Sequence, residues 1–256
     1  MKIVFMVLMS CLVTCKAIAQ DDSLKYSSVK IETLDNTHNI KLKHLIAPTV
    51  CLGVGILSIG SDWLKNQNLD INEELREGID SKFSIDDYSQ YMPALSVYGL
   101  NLCGIKGVHD FKDRTMILAM SWLTMSVVAG TMKHTIREMR PDGTTHNSFP
   151  SGHTATASMG AEFLYQEYKN VSPWIGVAGY AVAAGTGFFR MYNNRHWLND
   201  ILAGAGIGIL STKLSYWLYP KIFKNADCRK KKSSLQFVAM PYYDGNGAGC
   251  SGLVRF

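Results

Sequence analysis

Three short clusters in the second half of the sequence hold residues suited to a tetrahedral oxyanion. Lys133 and Arg140-Pro141 come first, then Pro150-Ser151-Gly152-His153, then Arg190 with His196 and Asp200. Together they supply three cations, two imidazoles for nucleophile and acid roles, and a carboxylate to orient one of them. A guanidinium fork plus a lysine point charge suits a phosphate dianion. Lys133 and Arg140 are seven positions apart. Two helical turns would then put both on one face, near the end of a helix that Pro141 stops.

The second cluster precedes a run of Thr, Ala, Ser and Met and reads as a helix N-terminus. Free N–H groups and the helix dipole favour an anion there. Gly152 lets a backbone approach closely, and the Ser151 hydroxyl can cap the helix or donate to an oxygen. His196 and Asp200 are four apart. On a helix that spacing lets the carboxylate accept from one imidazole nitrogen and leaves the other facing the site. Each cluster has an ordinary explanation by itself: a charge complementing a helix C-terminus, a capped helix start, a surface contact. The ordered set of ten positions is another matter, with chance odds on the order of one in a billion.

The elements that must position these residues read as mainly helical. Apolar helical patterns cover residues 45–60, 92–108, 114–137, 155–168, 173–189 and 200–219, six helices with mostly short connections. Residues 61–92 are polar and acidic, with an amphipathic piece at 69–83. After the last helix comes a basic run, Arg229 to Lys232. Two short apolar stretches then flank Asp244-Gly245-Asn246-Gly247, and Gly and Asn tolerate positive φ, so the tail reads as a β-hairpin.

The chain has 256 residues, 47% of them hydrophobic and 18% charged, which is apolar for a soluble protein. Lys2 followed by an apolar run, with small residues at Ala17-Ile18-Ala19, reads as an export signal over residues 1–19, cleaved after Ala19. Cys11 and Cys15 raise a lipoprotein signal as the alternative. Residues 20–44 form a polar lead-in, 45–222 the helical domain and 223–256 the tail. Beyond residue 19 the net charge is +3, because Lys2 and Lys16 leave with the signal. That is too mild to indicate a nucleic-acid partner. No cysteine spacing fits a zinc site. Cys51 and Cys103 read as buried free thiols, while Cys228 and Cys250 are a candidate disulfide in an oxidising compartment.

The ordered pattern of the three clusters resembles the type 2 phosphatidic acid phosphatase (PAP2) family, which shares its core with vanadium haloperoxidases and class A bacterial acid phosphatases. The resemblance covers about residues 90–220. One departure is Phe189, where the family often has Ser. The resemblance implies an all-α, six-helix bundle of the chloroperoxidase-like type, here followed by the short hairpin. It implies that His196 attacks phosphorus to form a phosphohistidine, that Asp200 holds its tautomer, and that His153 protonates the leaving group. Lys133, Arg140, Ser151, Gly152 and Arg190 would bind the phosphate, with neither metal nor cofactor required. The implied partner is a phosphorylated lipid (lipid A, undecaprenyl pyrophosphate or a phosphatidyl phosphate) or a small phosphomonoester, with oligomeric state left open. A soluble periplasmic acid phosphatase, a vanadate-dependent haloperoxidase and a non-catalytic envelope scaffold stand as alternatives.

Location is the unsettled point. A cleaved signal followed by six spanning helices would turn the site to the cytoplasm and put the acidic 61–92 segment there too, against the positive-inside tendency. Glu162, Gln166 and Glu167 are costly in lipid unless they turn inward. The expectation is a periplasm-facing, membrane-associated protein. His38, His44, His109 and His134 read as bystanders, and His146 as a loop residue within reach of a substrate.

Overall fold

The computed structural model describes residues 43–76, 84–224, 236–243 and 248–255. The expected signal segment, His38, the 244–247 turn and Cys228 lie outside them, and so does any Cys228–Cys250 pairing. Eight α-helices occur among the described residues: α1 (Lys43–Gly60), α2 (Asp62–Arg76), α3 (Ile85–Ser89), α4 (Met92–Leu102), α5 (Phe111–Ile136), α6 (Gly152–Tyr168), α7 (Pro173–Tyr192) and α8 (Leu198–Tyr219). The six apolar stretches correspond to α1 and α4 to α8. The six-helix expectation left out α2 and α3, and the amphipathic helix lies at Asp62–Arg76. It starts there because Ser61 Oγ accepts from the Leu64 amide at 3.5 Å, and Asp62 complements the helix N-terminus. α4 ends at Leu102 and does not reach residue 108, because Gly104 adopts φ +91° and turns the chain away.

The chain divides into two compact units, one up to Ser215 and one from Tyr216 onward. The second unit contains a short π-helical turn, Pro220–Lys224. It also holds β1 (Gln236–Tyr243) and β2 (Ala248–Arg255), paired antiparallel with Gln236 opposite Arg255 and Tyr243 opposite Ala248.

In the first unit α6 lies at the centre, with twelve of its seventeen residues buried. One side of α6 packs Ala155 and Met159 against Met125 and Ala129 of α5 and Ile207 of α8. Another packs Ala157 and Ala161 against Ala183 of α7. Small residues let the helices come close. A Cβ on Gly208 of α8 would meet the Ala155 carbonyl oxygen and lie 2.8 Å from the Met159 amide nitrogen. Gly206, on the next face of α8, would meet the Pro48 oxygen of α1 at 2.6 Å. Such small-residue faces are the usual device for close helix contact in a membrane, where apolar surface alone gives little drive to associate.

The contacts also give directions. Pro48 lies against Gly206, and Gly55 lies against Ala203 and Asn199, so α1 runs antiparallel to α8 and ends where α8 begins. Ala94 lies against Gly160, and the Tyr168 hydroxyl donates to the Val97 and Ile105 oxygens at 2.9 and 3.1 Å. Hence α4 runs parallel to α6. The end of α5, the start of α6, the end of α7 and the start of α8 therefore share one end of the bundle.

The acidic residues of α6 are turned inward and fully partnered. Glu162 pairs with Lys213 Nζ at 2.6 Å and accepts from Gln166 Nε2 at 2.6 Å and from the Tyr180 hydroxyl. Glu167 accepts from the His109 amide at 3.0 Å and lies 2.8 Å from His109 Nδ1. His109, expected as a surface bystander, therefore anchors the loop before α5.

The outward faces are apolar. Trp122, Leu123 and Val127 of α5, Ile46, Val50 and Leu57 of α1, and Trp174 and Val177 of α7 are exposed. Among the described residues three stretches, Lys43–Gly60, Phe111–Ile136 and Leu198–Phe223, are long and apolar enough to cross a membrane.

Candidate active site

The first cluster is positioned by a turn that the residue spacing conceals. α5 ends at Ile136, and Arg137 caps it in the left-handed conformation at φ 48°. Arg140 therefore lies in the following loop, off the helix face that carries Lys133, and Arg137 rather than Pro141 stops the helix. The loop folds back on itself: the Ser148 amide donates to the Glu138 oxygen at 2.9 Å and the Arg140 amide to the Thr145 oxygen at 3.0 Å. Trp197 Nε1 donates to the Met139 oxygen at 2.8 Å, pinning the loop to the start of α8. Lys133 Nζ donates to the Asn147 oxygen at 2.9 Å. Arg140 is thus returned to the end of α5 by the loop.

His196 and Asp200 meet across the start of α8. His196 Nδ1 lies 3.3 Å from Asp200 Oδ2, with His196 ahead of the helix and Asp200 in its first turn. Both are buried. The same Asp200 oxygen accepts from the Trp197 amide at 2.9 Å and from the Ser148 hydroxyl. Ser148 Oγ also lies 3.4 Å from His196 Nδ1. A carboxylate at Nδ1 keeps the proton on that nitrogen and leaves the Nε2 lone pair available. Ser148, 52 residues away in sequence, is a member of this group that local spacing could not reveal.

Burial lowers the His196 pKa well below 6.5, and the positive charges of Arg190, Lys133 and Arg140, then His153, lower it further. All the charged members of the three clusters thus converge on one neutral, buried imidazole. Arg140 Nε and Arg190 Nε are buried and have no hydrogen-bond partner among the described residues. Two fixed N–H donors beside a buried nucleophile fit an oxyanion.

The second cluster divides its work. Ser151 caps α6, its Oγ accepting from the Thr154 amide at 3.5 Å, and its own amide donates to the Asp200 backbone oxygen at 3.0 Å. Its backbone amide is therefore committed inside the protein, while its hydroxyl, 3.0 Å from Thr154 Oγ1, still has a proton to donate. Gly152 has open space where a Cβ would stand, so its side of the helix start is approachable. His146 is exposed in the loop, and Phe189 contacts the rings of Phe188 and Tyr192.

Two acidic residues of α3 belong to the site, and nothing in the three clusters announces them. Asp86 Oδ2 accepts from Arg190 Nη1 at 2.7 Å and its Oδ1 from Asn193 Nδ2 at 3.1 Å. Asp87 Oδ1 lies 2.9 Å from His153 Nε2 and 3.7 Å from Arg190 Nη1. Oxygen atoms of Asp86 and Asp87 and a ring nitrogen of His153 lie within 4.8 Å of one another, close enough to hold a cation. The Arg190 guanidinium already fills that role: both Asp86 oxygens are engaged, and a metal ion there would face the Arg190 charge. Burial and then Arg190 lower the His153 pKa, while Asp87 and Asp86 oppose that shift.

A further acid closes the site from behind. Glu138 accepts from Asn199 Nδ2 at 3.3–3.4 Å. Burial, followed by the negative charge of Asp200, raises its pKa to about 7. Asp200 Oδ1 has no donor among the described residues. A protonated Glu138 is the group placed to supply one.

A helical bundle with a buried His–Asp pair facing three cations defines a class. The family model of the PAP2 superfamily matches residues 114–224, which contain all three clusters. A lipid A 1-phosphatase of Porphyromonas gingivalis is 38% identical over 171 residues, covering 63% of this chain and 38% of that protein. The chain thus spans well under half the length of that relative. The crystal structure of a transmembrane PAP2-type phosphatidylglycerolphosphate phosphatase from Bacillus subtilis shares the fold, with TM-score 0.50 and 20% identity over 69% of this chain and 97% of that one. Aquifex aeolicus LpxE gives TM-score 0.46 at 20% identity, over 58% of this chain and 94% of that one.

Proposed function

We propose that this chain is a metal-independent phosphatase that removes phosphate from a lipid through a phosphohistidine on His196. The observation that carries the reading is the buried, neutral His196 ringed by Lys133, Arg140 and Arg190, with two of their N–H donors unpartnered. His196 Nε2 attacks phosphorus as the bond to the leaving oxygen breaks. The bonding pair moves onto that oxygen, which takes a proton from His153. Water then attacks the phosphohistidine, gives its proton to His153, and releases phosphate with His196 restored. The cations hold the equatorial oxygens in both steps. The six apolar helices, α1 and α4 to α8, form the family core, and α2 and α3 are additions at the site end.

The lipid assignment draws on two observations. Exposed tryptophans and aliphatic residues on α1, α5 and α7 argue against a soluble acid phosphatase, and the 38% identity to a lipid A 1-phosphatase makes a lipid A 1-phosphate the first candidate. A substrate panel in detergent, comparing wild type with His196→Ala, tests this by released phosphate and by an acid-labile phosphoprotein. Equal release by both proteins would exclude the mechanism. Turnover of small phosphomonoesters alone would favour an acid phosphatase, and halide oxidation that needs vanadate and peroxide a haloperoxidase. No reaction at all would favour a scaffold.

Charge placement supports a site on the periplasmic side. α2, at the site end of α1, holds Asp62, Asp70, Glu73 and Glu74 beside Lys65 and Arg76, and the site-end loops hold Arg137, Arg140 and Arg195, whereas Lys106 and Lys169 lie in the connections at the other end. Lys221, Lys224, Arg229, Lys230, Lys231 and Lys232 follow α8 in sequence. The positive-inside tendency then keeps the basic end in the cytoplasm. With α1 spanning, the chain enters α1 from the cytoplasmic side, next to Lys41 and Lys43.

A further inference from the structure

We propose that Asp87 is a positioning residue for the proton donor His153, holding its Nε2 so that the proton passed to the leaving group comes from Nδ1. The inference rests on the phosphatase reading above and adds a residue that lies outside the three clusters and outside the 114–224 family match.

The geometry is specific. Asp87 Oδ1 and His153 Nε2 are 2.9 Å apart and 66 residues apart in sequence. Nδ1 of the same ring has no hydrogen-bond partner among the described residues. Asp87 is held in place by its neighbours. Asp86 is buried, with its two oxygens on Arg190 and Asn193, and Ser89 Oγ lies 2.8 Å from Thr186 Oγ1 of α7. Gln90 Nε2 donates to the Asp87 backbone oxygen at 2.8 Å. The short helix α3 is therefore fastened to α7 on both sides of Asp87, and the carboxylate is presented to His153 by backbone placement.

The chemistry follows from that contact. A charged His153 donates from Nε2 to Asp87 and from Nδ1 to the leaving oxygen. In the transfer the Nδ1–H bond breaks and an O–H bond forms, as the phosphorus–oxygen pair moves onto oxygen. The neutral ring that remains keeps its proton on Nε2, bonded to Asp87, in the manner of the carboxylate–imidazole pairs that fix a tautomer. The charged groups facing His153 are Asp87 and Asp86 from α3 and Arg190 from α7, and the titratable His196 faces it from ahead of α8. Burial and Arg190 drive the ring toward neutrality; the two carboxylates oppose them. Without Asp87 the balance moves toward a ring with no proton to give.

The test uses the full chain in detergent, labelled with ¹⁵N-histidine, with the His153 signal assigned by its loss in His153→Gln. Asp87→Asn is expected to lower the His153 titration midpoint by about one pH unit. The alkaline limb of kcat/KM should move down by the same amount, with Asp87→Glu restoring most of both. Asp87 has a side chain 55% exposed, and Asp87→Ser serves as a second neutral variant if Asp87→Asn does not fold. An unmoved His153 midpoint overturns the inference whether or not the protein is a phosphatase. A wild type that releases no phosphate overturns the phosphatase reading, and the assignment of His153 as donor with it. A uniform fall in rate with an unshifted pH limb also overturns the inference, since Asp87 would then act only on structure. So does a lower KM in Asp87→Asn, which would make the carboxylate a competitor of phosphate. A rise in wild-type rate on adding Mg²⁺ or Zn²⁺ that Asp87→Asn abolishes would point to a metal and overturn it equally.

Discussion

The amide of Ser151 donates to the backbone oxygen of Asp200 at 3.0 Å. This bond joins the cap of α6 to the first turn of α8, so the helix start carrying His153 and the one flanked by His196 are tied through their backbones. The spacing between the proposed acid and nucleophile is thus set by main chain, which has fewer soft torsions than two side chains reaching across a cleft. Such fixed placement is what a two-group displacement requires.

Ser148 should matter as much as its hidden position implies. Its hydroxyl donates to Asp200 Oδ2, beside His196 Nδ1. Ser148→Ala removes that donor from a buried carboxylate, costing about 1–3 kcal/mol. Phosphate release should fall by about 10-fold or more if the loss is felt in the transition state. Steady-state kinetics beside a thermal melt would check it; unchanged kcat/KM would show that Trp197 and His196 alone hold Asp200.

Glu138 gives a pH signature with a definite sign. Its pKa rises from 4.5 to about 7, through burial and then Asp200. For a raised folded-state pKa, the stabilising contribution is complete below the unfolded value and is lost as pH rises through 7. Wild type should therefore lose stability between about pH 4.5 and 7 relative to Glu138→Gln, which has no such group. Melting temperatures at pH 5 and pH 8 provide the comparison, with the difference in favour of Glu138→Gln growing at the higher pH. The same offset at both values would rule out a shifted Glu138.

The α6–α8 contact predicts intolerance to a single methyl. In Gly208→Ala the new Cβ would meet the Ala155 oxygen and lie 2.8 Å from the Met159 nitrogen, backbone atoms that cannot swing aside. Overpacking of this kind costs about 1–3 kcal/mol. Gly53→Ala, where nothing lies within 4 Å of the added Cβ, is the control. Thermal unfolding in detergent should separate the two variants, and equal melting temperatures would mean that the helices can move apart freely.

Sidedness can be read with a thiol reagent. Cys103, expected to be buried, is exposed just after α4, where Gly104 turns the chain away at the end of the bundle opposite the site. With the other cysteines changed to serine, a membrane-impermeant maleimide should fail to label Cys103 in intact spheroplasts and should label it after lysis. A cysteine placed at His146, in the site-side loop, should react before lysis. The reverse pattern would put the site in the cytoplasm.

Much of the site was legible because its contacts are local or because residue types constrain one another. His196 and Asp200 are one helical turn apart, and Ser151 is the cap its type and position imply. The Lys133–Arg140 spacing misled, because Arg137 adopts a left-handed conformation that no residue type announces. Arg190 could be read as a cation, but its partner Asp86 lies 104 residues away, beyond any periodicity. Glu162 and Glu167 looked costly for a membrane helix until Lys213, Tyr180 and His109 were found beside them. Local propensity marks the helices; only the packed fold says which charges answer which.

With α6 enclosed by its neighbours, the bundle divides into residues that touch surroundings and residues that touch only protein. The faces of α1, α5 and α7 that hold exposed Leu, Val and Trp can exchange one apolar side chain for another as the lipid around them varies. α6 has no such freedom. Many of its buried positions are fitted to small residues or paired groups elsewhere in the fold, and a change there calls for a matching change at a second position. Variation within α6 should therefore arrive in correlated pairs, whereas the outer faces can drift one residue at a time.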